Sequence, residues 1–204
     1  VTFSPDAGNF AIGTTTVTAT ATNSCGVESC TFDVVVTDAE VPAITCPADG
    51  NISVDAGQCT ANSVGSPLTS DNCGVATVVA NPSGPYALGS HTIEWTVTDV
   101  HGNVNSCTQN VTVIDTENPI INGCPSDIVV SNDLGTCGAV VNYVAPGATD
   151  NCTLASIIGD HNSGEVFPIG TTTVTYTATD AANNVSTCSF TITVNGTNPT
   201  AVTT

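Results

Sequence analysis

One stretch and its near copies constrain this chain more than any other feature. Gly170-Thr-Thr-Thr-Val-Thr-Tyr-Thr-Ala-Thr-Asp180 leads into Cys188-Ser-Phe-Thr-Ile-Thr-Val194. The pattern recurs as Gly89-Ser-His-Thr-Ile-Glu-Trp-Thr-Val-Thr-Asp99 before Cys107, and as Gly13-Thr-Thr-Thr-Val-Thr-Ala-Thr-Ala-Thr-Asn23 before Cys30. Thr and Ser alternate with aliphatic or aromatic residues, which is the period of a strand with one face buried and one face wet. Each copy turns and returns as a second strand, so the unit is a β-hairpin repeated three times at a spacing of about 80 residues.

Units of that size bury little of their surface and need covalent staples. Ten cysteines can supply them. Cysteines at this density in small β units point to an oxidising compartment, extracellular, cell surface or periplasm, of which the first two are expected here. No CxxC pair or Cys/His cluster with zinc spacing occurs. The charge is one-sided, with 18 Asp and Glu and no Lys or Arg. Nothing can neutralise phosphate, which argues against nucleic acid and anionic membrane surfaces as partners. Carboxylates that approach one another must stay solvated, take up protons, or bind a cation. No apolar run reaches ~18 residues, so no membrane insertion is expected. No signal peptide opens the sequence either, and any such signal is expected to lie outside it.

In chain order, residues 1–38 carry only the second half of the unit. Half a sandwich leaves a sheet face and edges uncovered, so this part is either incomplete or completed by a neighbour through strand addition. Complete units occupy residues 39–115 and 116–195, and residues 196–204 form a tail or the start of another linker. Within each complete unit, short strands alternate with Gly-, Pro- and Asn-rich turns at a spacing of about 8–12 residues. That pattern is an all-β reading, tandem immunoglobulin-like β-sandwiches, and no segment has helical periodicity.

The order of motifs resembles a known family. Asp115-x-Glu117-x-Pro119, Cys124-Pro-x-Asp127-Ile-x-Val130, Asp150-Asn-Cys152, Phe167-Pro-Ile-Gly-Thr-Thr-Thr-Val-Thr-Tyr-Thr-Ala-Thr-Asp180 and Cys188-Ser-Phe-Thr-Ile-Thr-Val194 look like the hyalin repeat (HYR) domain. The likeness covers nearly the whole chain. It implies disulfide-stapled, Ig-like extracellular modules of adhesion or surface structure, although a sandwich hosts many roles.

Four cysteines per complete unit allow three pairings, and sequence alone leaves the choice open. In a sandwich whose first and last strands run parallel, those strands start at the same end. This favours Cys46–Cys107 and Cys124–Cys188, and the resemblance supports it, since relatives with two cysteines keep these positions. Cys59–Cys73 and Cys137–Cys152 would then follow, each closing a loop of about 15 residues. Cys25–Cys30 would bridge the first hairpin.

The acids recur in register. Asp38 and Glu40, then Asp115 and Glu117, lie in the linkers, and the same end of each sandwich should present Asp71-Asn72 and Asp150-Asn151 from a loop, with Asp99 and Asp180 from the hairpin turn. Carboxylates, Asn side chains and carbonyls suit Ca²⁺, which takes six to eight hard oxygen ligands. The competing reading is that Asp and Asn are solvated turn formers. The final linker, Asn195-Gly-Thr-Asn-Pro199, has no acid, so no such site is expected there.

Asn51, Asn110, Asn151, Asn184 and Asn195 each begin an Asn-x-Ser/Thr sequon, which makes glycosylation possible in a host that modifies them. Trp95 falls on the inward alternation and reads as core. His91, His101 and His161 are not in equivalent repeat positions and read as surface residues. With no nucleophile, base and orienter in register, the chain is not expected to be an enzyme. The functional expectation is an extracellular structural or adhesive repeat protein, a calcium-stiffened stalk or fibre partnered by copies of itself or adjacent repeats and polymerising through its first unit. Alternatives are a glycan- or protein-binding adhesin module and a non-catalytic appendage of a larger secreted enzyme.

Overall fold

The structure, a computed structural model, describes residues 1–6 and 8–196, so the tail expected over residues 197–204 lies outside the described residues. In chain order the strands are β1 (Thr2–Ser4), β2 (Gly13–Asn23), β3 (Gly26–Val36), β4 (Ala43–Thr45), β5 (Gly50–Ser53), β6 (Thr60–Ala61), β7 (Leu68–Ser70), β8 (Val75–Asn81), β9 (Tyr86–Ala87) and β10 (Gly89–Asp99). They continue as β11 (Val104–Ile114), β12 (Ile120–Asn122), β13 (Ile128–Ser131), β14 (Gly138–Val140), β15 (Gly147–Thr149), β16 (Leu154–Gly159), β17 (Val166–Pro168), β18 (Gly170–Asp180) and β19 (Val185–Asn195). Among the described residues there is no helix. Two compact units result: Val1–Ala48 with Gly65–Ser83 and Thr92–Gln109, and Asp49–Val64 with Gly84–His91 and the chain from Asn110 onward.

The second unit contains a whole repeat. A four-stranded sheet, in the order β13-β19-β18-β16, faces the two-stranded pairs β12-β15 and β14-β17. The Thr alternation explains this architecture. Val174, Tyr176 and Ala178 of β18 and Phe190, Ile192 and Val194 of β19 point inward to meet Ala139, Val141 and Phe167. Burying each large apolar side chain contributes about 1.5–3 kcal/mol. The outward threonines pair across strands, as Thr171 with Thr193 at 3.0 Å between hydroxyl oxygens. Edge-on aromatic contacts join Tyr143 to Phe190 and Tyr176, with centroids 5.0 and 6.4 Å apart. The same unit pairs β5 parallel to the end of β11, just as β13 pairs parallel to β19.

In the first unit β8 lies antiparallel on β10. Trp95 is core, as its alternation predicts, and its indole N–H donates to the buried Gln109 Oε1 at 3.0 Å. Gln109 in turn donates through Nε2 to the Ala48 carbonyl. This Trp–Gln pair stands where the second repeat has Tyr176 and Phe190. The leading segment is more than a hairpin: β1 pairs antiparallel with β2, Phe3 opposite Ala19, giving a three-stranded sheet β1-β2-β3. Three residues are too few to register in a periodicity. Among the described residues nothing in this sheet takes the parallel place that β13 holds beside β19, and Phe32 is 47% exposed where its equivalent Phe190 is 3% exposed.

Three disulfides form: Cys46–Cys107, Cys124–Cys188 and Cys59–Cys152. The first two follow the parallel first and last strands. The expected Cys59–Cys73 and Cys137–Cys152 bonds are not made, and the reason is clearest in the second repeat. The Ile169 N–H donates to the Cys137 carbonyl at the start of β18, while the Ala181 N–H donates to the Thr153 carbonyl, next to Cys152, beyond its end. An eleven-residue strand separates them, about 35 Å at the rise of a β-strand. Cys59 is next to Thr60, which pairs opposite Ala87, and Cys73 is next to Gly74, which accepts from the Val100 N–H. The expected Cys25–Cys30 bond also fails. Cys25 is in the turn, its N–H held by Asn23 Oδ1 at 2.8 Å, whereas Cys30 is four rungs up β3 opposite Ala19. Four rungs are about 13 Å, well beyond the Cα separation a disulfide permits. Cys25, Cys30, Cys73 and Cys137 are free and exposed.

Candidate cation sites at the repeat linkers

The linker after each closing strand leaves one end of the sheet, and the hairpin turn and the Asp-Asn-Cys loop of the next repeat come to it. In the first unit, Asp38, Asp71 and Asp99 each bring a carboxylate oxygen to within 4.8 Å of the others. In the second unit, Asp115, Asp150 and Asp180 do the same. The hairpin aspartates are the most enclosed, Asp99 at 2% and Asp180 at 1% exposure.

Each triad is held in a similar way. Asp99 Oδ1 accepts from the His101 and Asn103 N–H groups, and its Oδ2 from Asn103 Nδ2 at 2.7 Å. Asp180 accepts from the Asn184 N–H and from Asn184 Nδ2, both at 2.7 Å. The same asparagine amides reach the linker, Asn103 to the Asp38 carbonyl and Asn184 to the Asp115 carbonyl. Burial works to raise the Asp99 pKa, but the Asn103, His101 and Gly102 donors outweigh it and hold the carboxyl below its ordinary value. Asp71 Oδ1 and Asp150 Oδ2 accept the N–H groups of Cys73 and Cys152 as Asx turns. Their other oxygens, Asp71 Oδ2 and Asp150 Oδ1, are buried without a hydrogen-bond partner, as is Asn151 Oδ1. Buried acceptors left unpaired are costly, and a cation at each cluster would satisfy Asp71 Oδ2 in the first and Asp150 Oδ1 in the second.

The glutamates and asparagines of the expected ligand set divide differently. Glu40 accepts from Asn72 Nδ2 at 2.8 Å, and Glu117 from the Gly57 N–H at 2.8 Å, so three carboxylates rather than four form each cluster. Asn151 Nδ2 donates to the Gln58 carbonyl, which turns its Oδ1 inward. At the first cluster His101 Nδ1 lies 3.1 Å from Asp38 Oδ2, and Cys73 and His101 can approach Asp38 as ligands. The second cluster has no counterpart, because Cys152 is in a disulfide and Ala182 replaces His101. What the two sites share is hard oxygen donors, and those fit Ca²⁺. Sequence reasoning missed Asn103 and Asn184, although Asp-x-x-x-Asn recurs in both hairpin turns and was a readable signal.

The remaining expectations sort by environment. Asn51, Asn110 and Asn195 are exposed, whereas the amides of Asn151 and Asn184 are committed to internal hydrogen bonds and poorly placed for glycosylation. His101 is exposed, but His91 and His161 are not free surface residues: His91 packs edge-on to Tyr86 and His161 tilts against Phe167. The Thr-rich alternation around them hid these aromatic neighbours.

Taken together, fold and linkers define a disulfide-bonded protein of tandem Ig-like β-sandwiches. The HYR domain model matches residues 37–113 and 114–194, and the chain belongs to that family. It is 34% identical over 199 residues to hyalin of Strongylocentrotus purpuratus, covering 91% of this chain and 17% of that protein. Hyalin of Lytechinus variegatus is 34% identical over 194 residues, 89% of this chain and 36% of that protein. The Rattus norvegicus sushi, von Willebrand factor type A, EGF and pentraxin domain-containing protein 1 is 36% identical over 172 residues, 79% of this chain and 5% of that protein. The chain thus spans well under half of each relative. Among solved structures, human protocadherin-24 EC1-2 aligns at 11% identity over 76% of this chain and 99% of that one, with a TM-score of 0.33.

Proposed function

We propose that this chain is an extracellular structural or adhesive repeat segment whose linkers are fixed by Ca²⁺. The observation that carries the reading is the recurrence, in register, of two aspartate triads with buried, unpaired oxygens in a chain that has no Lys or Arg. Asp38 and Asp115 belong to linkers, Asp71 and Asp150 to the loop that follows, and Asp99 and Asp180 to the hairpin turn. A divalent cation held by all three would pin each linker to the repeat it introduces and remove the repulsion among the carboxylates. The mechanism is mechanical: stapled sandwiches with fixed linkers hold an attached partner at a distance and join other repeats end to end. The disulfides support an oxidising, extracellular setting, and the HYR relatives agree with it.

Scanning calorimetry of the full chain in calcium and in excess EDTA tests the reading. Calcium should raise the melting temperature in a concentration-dependent way. Identical melts in both buffers would reject it.

A further inference from the structure

Cys59 and Cys152 join two successive repeats, and the contacts around their bond form a lock with two halves. One half is the turn Asp55-Ala-Gly57-Gln-Cys59, which follows β5. The other is the Asp150-Asn151-Cys152 loop with Glu117 of the linker. Around the disulfide, the Gly57 N–H donates to Glu117 Oε2 and Asn151 Nδ2 donates to the Gln58 carbonyl. Three contacts therefore hold the turn in the loop.

Both halves occur a second time, and among the described residues neither copy meets its counterpart. Asp133-Leu-Gly135-Thr-Cys137 repeats the turn, and its backbone is built the same way. Asp133 N–H donates to the Gly138 carbonyl as Asp55 N–H does to that of Thr60, and Asp133 Oδ2 accepts from the Val140 N–H as Asp55 Oδ2 does from Asn62. Gly135 and Gly57 share a left-handed φ, +77° and +69°. The receiving half recurs as Asp71-Asn72-Cys73 with Glu40. There the two groups that should receive a turn close on each other, Asn72 Nδ2 donating to Glu40 Oε2, and Cys73 is an exposed thiol. An independent observation lies in the same unit. Beside β3 no parallel strand like the one that precedes the turn in both complete repeats is found among the described residues, and Phe32 on β3 is 47% exposed.

We propose that Cys73, Glu40 and Asn72 form a docking site for the first half of another HYR repeat. The occupant supplies a parallel strand to β3, covers Phe32, and delivers an Asp-x-Gly-x-Cys turn whose cysteine bonds to Cys73. Its Gly N–H replaces Asn72 as the donor to Glu40, and its residue before Cys accepts from the released Asn72 amide. Cys137 is the matching donor for an Asp-Asn-Cys loop of a following repeat. The covalent step is thiol–disulfide exchange with a disulfide oxidant such as oxidised glutathione: two thiols lose two protons and two electrons, one S–S bond forms, and the oxidant leaves as two thiols. The result is a covalent ladder with one cross-link per junction.

The test places residues 116–156, which carry the strand and the Cys137 turn, ahead of Val1 in the full chain. Refolding in a glutathione buffer containing EDTA separates this proposal from the calcium reading. Peptide mapping without reduction should find Cys73 bonded to the grafted copy of Cys137, and Cys73 should resist alkylation. Changing only the grafted copy of Cys137 to Ser should restore labelling of Cys73. A folded grafted chain in which Cys73 still labels, or in which the grafted copy of Cys137 bonds elsewhere, would overturn the proposal. In case the graft fails to fold, the unextended chain gives a second check: it should show Cys59–Cys152 with Cys73 and Cys137 alkylated, and a Cys59–Cys73 bond would overturn the register on which the proposal rests.

Discussion

Cys59 is bonded to Cys152, 93 positions further along the chain, and not to Cys73 in its own repeat. The bond ties a linker-facing turn to the loop of the next repeat. Replacing both Cys59 and Cys152 by Ser should lower the stability of the second unit by about 2–4 kcal/mol, because it frees a long loop in the unfolded chain. Calorimetry of the variant against wild type measures the loss, and an unchanged melt would show that the bond constrains nothing.

Trp95 is the sole tryptophan and belongs to the first unit, so its fluorescence reports on that unit alone. Gln109→Ala should leave the indole N–H without its acceptor and destabilise this unit by about 1–3 kcal/mol. Phe167→Ala, in the second unit, should cost about 3–5 kcal/mol and leave the tryptophan transition near its wild-type position. Denaturant titrations followed by fluorescence and by circular dichroism distinguish the two.

Three acids predict where the protein fails at low pH. Asp99 is held low by donors that outweigh its burial, Asp127 by the Thr191 N–H and hydroxyl, and Glu165 by hydrogen bonds from Asn162 and His161. Their folded pKa values lie below the unfolded ones, near about 3.9 for Asp and about 4.3 for Glu. Each therefore stabilises the fold above those values and loses its contribution as pH falls through the folded value. In EDTA the melting temperature should be level between about pH 7 and pH 5 and fall below about pH 4, and Asp127→Asn should flatten part of that decline.

Cys73 should be a slow thiol. Partial desolvation of the sulfur, a hydrogen bond to Asp38 and the charges of Asp38, Asp71 and Asp99 push its pKa up, so less thiolate is present at pH 8 than for a free cysteine. A time course of iodoacetamide labelling read by mass spectrometry should show Cys73 lagging a model thiol, and Asp38→Asn should speed it.

The hairpins were legible because strand alternation writes its period directly into sequence. The aspartate triads were legible because their members recur in register. The route of the disulfides was not: spacing places Cys59 near Cys73, but β5 runs parallel to β11 and carries Cys59 to the linker end, beside Glu117. Glu40 and Glu117 were misread for the same reason, since their partners Asn72 and Gly57 come from segments that only the folded topology brings near. β1 escaped because three residues have no period to detect, and Asn103 and Asn184 because a turn asparagine is usually read as a turn former.

Calcium titration by isothermal calorimetry tests the central claim most directly. The full chain should bind two ions, Asp180→Asn and Asp99→Asn should each remove one, and the double variant should bind none. A chain that takes up no calcium at millimolar concentration, or whose binding survives both substitutions, would contradict the account.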